Sequence, residues 1–160
     1  MRNYGHFIGG KHVAGKSGRT ADVFQPLDGS VFGKVALATK AEVREAVENA
    51  KAAQPAWAAT NPQRRARVLM KFLELCARDN EKMAELLARE HGKTIPDAKG
   101  DIQRGLEVVE FSIGAPQMMK GEYTDGAGPG IDIYSMRQPL GVVAGITPFN
   151  FPAMIPLWKC

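Results

Sequence analysis

Two cysteines among 160 residues, Cys76 within a helical pattern and Cys160 at the last position, are too few for a disulfide framework and show no metal-ligand spacing. This usage fits a reducing compartment and predicts a cytoplasmic protein with no bound metal. Histidine is as sparse: His6, His12 and His91 fall at no ligand spacing and are expected at the surface. Long apolar runs are missing too. MRNYGHFIGGKH contains no signal-peptide core, and no stretch approaches the length of a membrane span. Lys and Arg outnumber Asp and Glu, 21 to 17, but they are scattered among acids, with no basic block to track a phosphate backbone. Neither nucleic acid nor a membrane is expected as a partner.

With 44% hydrophobic and 24% charged residues the chain can bury a core. FIGGKHV (7–13) sets a Gly-Gly pair between short alternating runs, a hairpin signal. A second strand pair is predicted from ADVFQ and SVFGKVAL, joined by the turn residues PLDGS (26–30). Thr39 and Glu42 form a capping box for a first helix, with Val43, Ala46, Val47 and Ala50 as its buried face and Pro55 ending or bending it. Asn61-Pro62 starts a second helix, whose stripe is Val68, Leu69, Phe72, Leu73 and Cys76, so Cys76 reads as a small core hydrophobe. A third helix, about Glu81 to His91, stops at Gly92. A fourth follows Pro96, with Ala98, Ile102, Leu106 and Val109 inward and Gly114-Ala115-Pro116 as terminator. GEYTDGAGPG then reads as a loop and IDIYSMRQ as a strand. VVAGIT has the continuous apolar character of a strand covered on both faces. The layout is α/β.

Chemistry is expected in GITPFNFPAMIP (145–156), where an apolar strand exits sharply through Pro148 toward a helix start near Pro152. In open α/β sheets, ligands gather beyond the carboxyl ends of strands. Asn150, flanked by Phe149 and Phe151, offers a neutral amide donor that can hold a developing oxyanion without titrating. Equally, it can serve only to cap the helix. Arg104 lies off the apolar stripe of the fourth helix, a placement usual for a solvated or ion-paired surface residue.

GITPFNFP closely resembles the aldehyde dehydrogenase signature between the first Rossmann strand and first helix, with Phe149 where Trp is usual. PFNFPAMIPLW narrows the resemblance to the CoA-acylating methylmalonate- and malonate-semialdehyde dehydrogenases. EHGKTIPDAKGDIQRGLEVVEF is similar to that family's EnGKxxxdAxGdvxRGlevvEf, and PQRRARVL and QPLGVVAGITPFNFP extend the likeness over nearly the whole chain.

The resemblance implies an aldehyde dehydrogenase-like fold. Residues 1–120 would belong to the NAD-binding domain, 121–138 to an oligomerisation arm, and 139–160 to the start of a Rossmann-type parallel sheet, truncated by the end of the chain. It implies NAD as cofactor, coenzyme A as co-substrate, a semialdehyde substrate and a homo-oligomer. Asn150 would donate its amide to the oxygen of the thiohemiacetal and thioester intermediates. The backbone at Ile146, Thr147 and Phe149 would lie against NAD, in a family that needs no GxGxxG loop. Many relatives have Ala at the place of Thr147, so its hydroxyl receives no role. Arg104 would bind the substrate carboxylate, a task suited to a guanidinium fork that stays charged at any working pH. The nucleophilic Cys, the second substrate Arg, the ribose-binding Lys and Glu and the CoA surface would lie beyond residue 160, and Cys160 itself would fall in the first Rossmann helix. The rivals are a hydrolytic aldehyde dehydrogenase and a non-catalytic chain that only binds or packs against a partner.

A chain confirmed at 17.4 kDa is accordingly expected to generate no NADH from any semialdehyde. NADH formation, read by absorbance, would overturn the placement of the nucleophile.

Overall fold

A computed structural model describes residues 2–159; Cys160, expected in a helix and without a catalytic role, lies outside the described residues. The chain begins with five short strands, β1 (Arg2–Tyr4), β2 (His6–Ile8), β3 (Lys11–Val13), β4 (Thr20–Phe24) and β5 (Val31–Ala36). β2 and β3 form the expected hairpin, His6 opposite Val13. Its turn residues Gly9 and Gly10 sit at φ 60° and 75°, the paired positive values that a two-residue turn matched to strand twist demands. β4 and β5 pair antiparallel as predicted, across a turn where Ser30 N–H donates to Asp28 Oδ1 at 2.9 Å. β1 adds to the other edge of β5 in parallel, a pairing with no local signal in a three-residue strand.

The helices are α1 (Lys40–Ala59), α2 (Pro62–Arg78), α3 (Asn80–His91), α4 (Ile95–Ile113), the one-turn α5 (Ala115–Met118) and α6 (Met154–Lys159). Their caps follow local chemistry. Asn61 accepts from Arg64 N–H at 2.9 Å, and Gly92 closes α3 at φ 87°. At Thr39 the capping box is complete: Glu42 N–H donates to Thr39 Oγ1 at 3.1 Å and Thr39 N–H to Glu42 Oε2 at 2.8 Å. Lys16 N–H also reaches Glu42 Oε1, at 2.6 Å, tying the start of α1 to the strand region.

The core is a helical cluster of Cys76, Ala84, Leu87, Ala98, Ile102 and Leu106, closed by Ala153 and Leu157 at the end of the chain. The predicted α4 stripe is buried at all four positions. Cys76 is a core residue as predicted. Burial, with Asp79 adding to it, pushes its thiol pKa up, which keeps the sulfur protonated and inert.

Several expectations are corrected. Pro55 does not end α1, which runs on to Ala59. Both Pro55 and Lys51, whose carbonyl loses its helical donor to the proline, are exposed. The predicted inner face of α1 is open, with Val43 53% and Val47 46% exposed. With Phe7, Ile8, Val142 and Val143 it lines an apolar groove of about 450 Å³. In α2, Leu69, Leu73 and Cys76 lie on the inward side as predicted and Ala66 joins them, whereas Val68 and Phe72 point outward; α4 packs on the inward side. GEYTDGAGPG is not a loop. It supplies β6 (Tyr123–Gly128), paired with β7 (Ile131–Tyr134) in a hairpin. Asp132 anchors it by accepting from Gly126 N–H at 2.9 Å and Tyr123 O–H at 2.8 Å. The glycines here build strand and turn rather than breaking them. VVAGIT is exposed and irregular; among the described residues no strand lies beside it to supply ladder partners. Of the histidines only His12 is fully exposed, His6 and His91 being half-buried.

Glu42 is a pH-dependent stabiliser. N–H donation from Thr39, then from Lys16, holds its carboxyl at about 2, below its reference value of 4.5. A carboxylate depressed on folding contributes stability that is complete above the unfolded value and disappears as pH falls through the folded one. The difference in thermal midpoint between wild type and Glu42→Gln is therefore expected to be constant above about pH 5 and to shrink between about pH 4.5 and 2, as read by circular dichroism. A difference that grew with acid would contradict this.

Candidate active site

The segment expected to carry chemistry lies on the helical core chiefly through the pairing of α6 with α4. α6 crosses α4 at Gly105, where an added Cβ would stand 3.1 Å from Met154 Cα and closer still to Leu157 Cδ1. Absence of a side chain thus sets the approach. One turn earlier on α4, Asp101 accepts the Met154 N–H at 2.8 Å through Oδ1. Its other oxygen, Oδ2, has no hydrogen-bond donor among the described residues and lies 3.5 Å from Lys93 Nζ. Lys93 is 3.5 Å from Asp97 as well, and its ammonium sits 4.5 Å over the ring of Phe151, a cation–π contact.

Asn150 occupies the turn before α6 and is exposed, and its side chain hydrogen-bonds to no described residue. The first free N–H of α6 goes to Asp101 and the next, of Ile155, to Phe151 O at 3.2 Å. The capping work is thus met without the Asn150 amide. Ile146 is 92% exposed, and its carbonyl accepts from Lys159 Nζ at 2.9 Å. Thr147 and Phe149 line a cleft of about 750 Å³ between α3 and the 147–153 turn, with Met83, Leu87 and His91 opposite. Phe149 stacks on His91 at 6.2 Å between ring centroids and 18° between planes. Both His91 ring nitrogens are enclosed without a hydrogen-bond partner. Arg104 is exposed on α4, and its backbone carbonyl accepts from Trp158 Nε1 at 3.4 Å. Thr147, Phe149 and Asn150 thus share one turn. Arg104 stands apart from them, against the far end of α6, and touches none of them among the described residues.

Asp101 and Lys93 are absent from the sequence-based site. A signal existed: Asp101 falls between Ala98, Ile102 and Gly105 on the apolar stripe, where a carboxylate requires a partner.

The aldehyde dehydrogenase family matches residues 12–160, and the chain belongs to that family. It is 50% identical over 153 residues to a malonate-semialdehyde dehydrogenase of Pseudomonas aeruginosa, covering 96% of this chain and 31% of that protein. Identity is 47% over 152 residues to the human acylating, mitochondrial methylmalonate-semialdehyde/malonate-semialdehyde dehydrogenase, with 95% and 28% covered. A Sinorhizobium meliloti 1021 structure, described as a methylmalonate-semialdehyde dehydrogenase complexed with NAD, superposes with a TM-score of 0.96 at 65% identity, covering 99% of this chain and 32% of that one. A methylmalonate-semialdehyde dehydrogenase from Oceanimonas doudoroffii gives 0.95 at 46% identity, with 99% and 32% covered. The chain therefore spans about a third of the length of these relatives.

Two glycines of α4 make the seating of α6 testable. Gly100 has open space where a Cβ would go, so Gly100→Ala should stabilise by about 0.5–1 kcal/mol through helix propensity. Gly105→Ala gains the same propensity but forces the Met154 backbone outward, at a cost of roughly 1–3 kcal/mol. Opposite shifts in thermal midpoint are expected, and equal shifts would refute the close crossing.

Proposed function

We propose that the full-length protein carrying this chain is an NAD-dependent, CoA-acylating semialdehyde dehydrogenase. It would convert malonate or methylmalonate semialdehyde, with CoA and NAD, to acetyl-CoA or propionyl-CoA, carbon dioxide and NADH. The supporting observation is likeness to relatives of that name along at least 95% of the chain, joined to an exposed Asn150 that its own helix does not use as a cap. NAD, when bound, accepts hydride from the aldehyde carbon. The residues from Ile146 to Phe149 fit such a group: their surface is open, and the backbone N–H groups of Ile146, Thr147 and Phe149 bond to no described residue, so a ribose or phosphate can rest against them.

Asn150 would hold the oxygen that becomes negative as a thiol adds to the carbonyl, and Arg104 the substrate carboxylate. An exposed guanidinium suits a charged semialdehyde and offers nothing to a neutral one. Cys76, buried and protonated, is not the nucleophile; in this reading the nucleophile and the CoA-binding surface lie outside these 160 residues. The β6–β7 hairpin, exposed along both strands and rich in Ile and Tyr, supports an oligomerisation arm, because an uncovered strand edge invites pairing. No helix of the described residues is long and apolar enough to cross a membrane, and a cytoplasmic setting is part of the proposal.

Two variants of the full-length enzyme separate the roles. Asn150→Ala should lower turnover by roughly 100- to 1000-fold and leave NAD affinity within a few fold, since the backbone contacts remain. Arg104→Leu should weaken methylmalonate semialdehyde far more than propanal. Near-normal turnover with a lower melting temperature for Asn150→Ala would restore the helix-cap reading. Release of free acid rather than acyl-CoA, distinguished by chromatography, would establish the hydrolytic reaction instead.

A further inference from the structure

We infer that Asp101, assisted by Lys93, is a positioning residue for Asn150; the inference rests on the reading of Asn150 as oxyanion donor. Asp101 is 2% exposed and its carboxylate is enclosed entirely. For stability alone an apolar residue would serve better on this stripe, since a buried ion pair rarely recovers its desolvation cost. What the carboxylate provides is direction. It fixes the Met154 N–H from a rigid helix at a separation of 53 residues. Lys93 meanwhile meets Asp101 and lies over Phe151, the neighbour of Asn150. The turn is therefore gripped on the carboxyl side of Asn150 at two points, both referred to α4. An oxyanion donor must lie within about 2.7–3.1 Å of the developing charge, and a misplacement of about 1 Å costs on the order of 100-fold. A side chain with no hydrogen bond of its own inherits its placement from this grip.

The test uses the full-length enzyme. Asp101→Leu should reduce kcat by about tenfold or more, with KM for NAD and semialdehyde within a few fold. Asp101→Asn, which keeps an acceptor for the Met154 N–H, should restore most of the turnover. In an Asn150→Ala background, Asp101→Leu should add little further loss, because the group it positions is gone. Unchanged kcat in Asp101→Leu, or losses that multiply in the double variant, would overturn the positioning role. A loss at Asp101 with none at Asn150 would instead overturn the oxyanion reading. Should Asp101→Leu not fold, Lys93→Met carries the same cycle: a several-fold loss of kcat that vanishes in the Asn150→Ala background supports the inference, and an unchanged kcat overturns it.

Discussion

One hydrogen bond, from the Met154 N–H to Asp101, decides where the last part of this chain lies. Around it the contacts are mainly apolar, Ala153 and Leu157 against the helical cluster and the glycine seat at Gly105, with the longer donation from Trp158 Nε1 to Arg104 O, at 3.4 Å, as a second polar tie to α4. Burial of such groups favours contact but leaves the rotation of a six-residue helix open. The carboxylate removes that freedom, since an acceptor on α4 admits one position for the N–H. The turn at 149–153, and with it Phe149 and Asn150, follows from that choice.

Features encoded within four residues were legible in the sequence. Gly9-Gly10, the Thr39/Glu42 box, Asn61-Pro62, Gly92 and the Ala98–Val109 stripe each carry their own physics, and each formed as expected. Features set by distant partners were not. The inward side of α2 was legible at Leu69, Leu73 and Cys76 but not at Val68 and Phe72, which satisfy helical spacing as well as Ala66 does; only the position of α4 chooses between them. The apolar alternation around Val43 and Val47 predicts a face but cannot say what covers it. Glycines concealed β6 because strand propensity is low there, while Asp132 supplies order through its side chain.

The site was legible to the same degree. The 145–156 segment stood out because its residue types are unusual together, and Thr147, Phe149 and Asn150 do share one turn. Arg104 gained significance only from resemblance, since an exposed helix arginine has no physical mark of function. Lys93 and Asp101 stayed hidden as a pair because their meaning is a relation with Phe151 and Met154. His91, expected at the surface, is half-buried and stacks on Phe149, another relation that spacing cannot express.

The grouping of α2, α3 and α4 has a consequence for biosynthesis. All three lie within about fifty residues of one another, α4 packing on both α2 and α3, and contacts of such modest sequence separation form early. Met154, by contrast, follows Asp101 by 53 residues, a delay of roughly 3 to 11 s at ordinary elongation rates of about 5–20 residues per second. Through that interval the nascent helical cluster holds a carboxylate on its apolar stripe with the N–H acceptor position unfilled. Lys93, already synthesised and one turn from Asp97, is the charge that tends it until α6 emerges and docks.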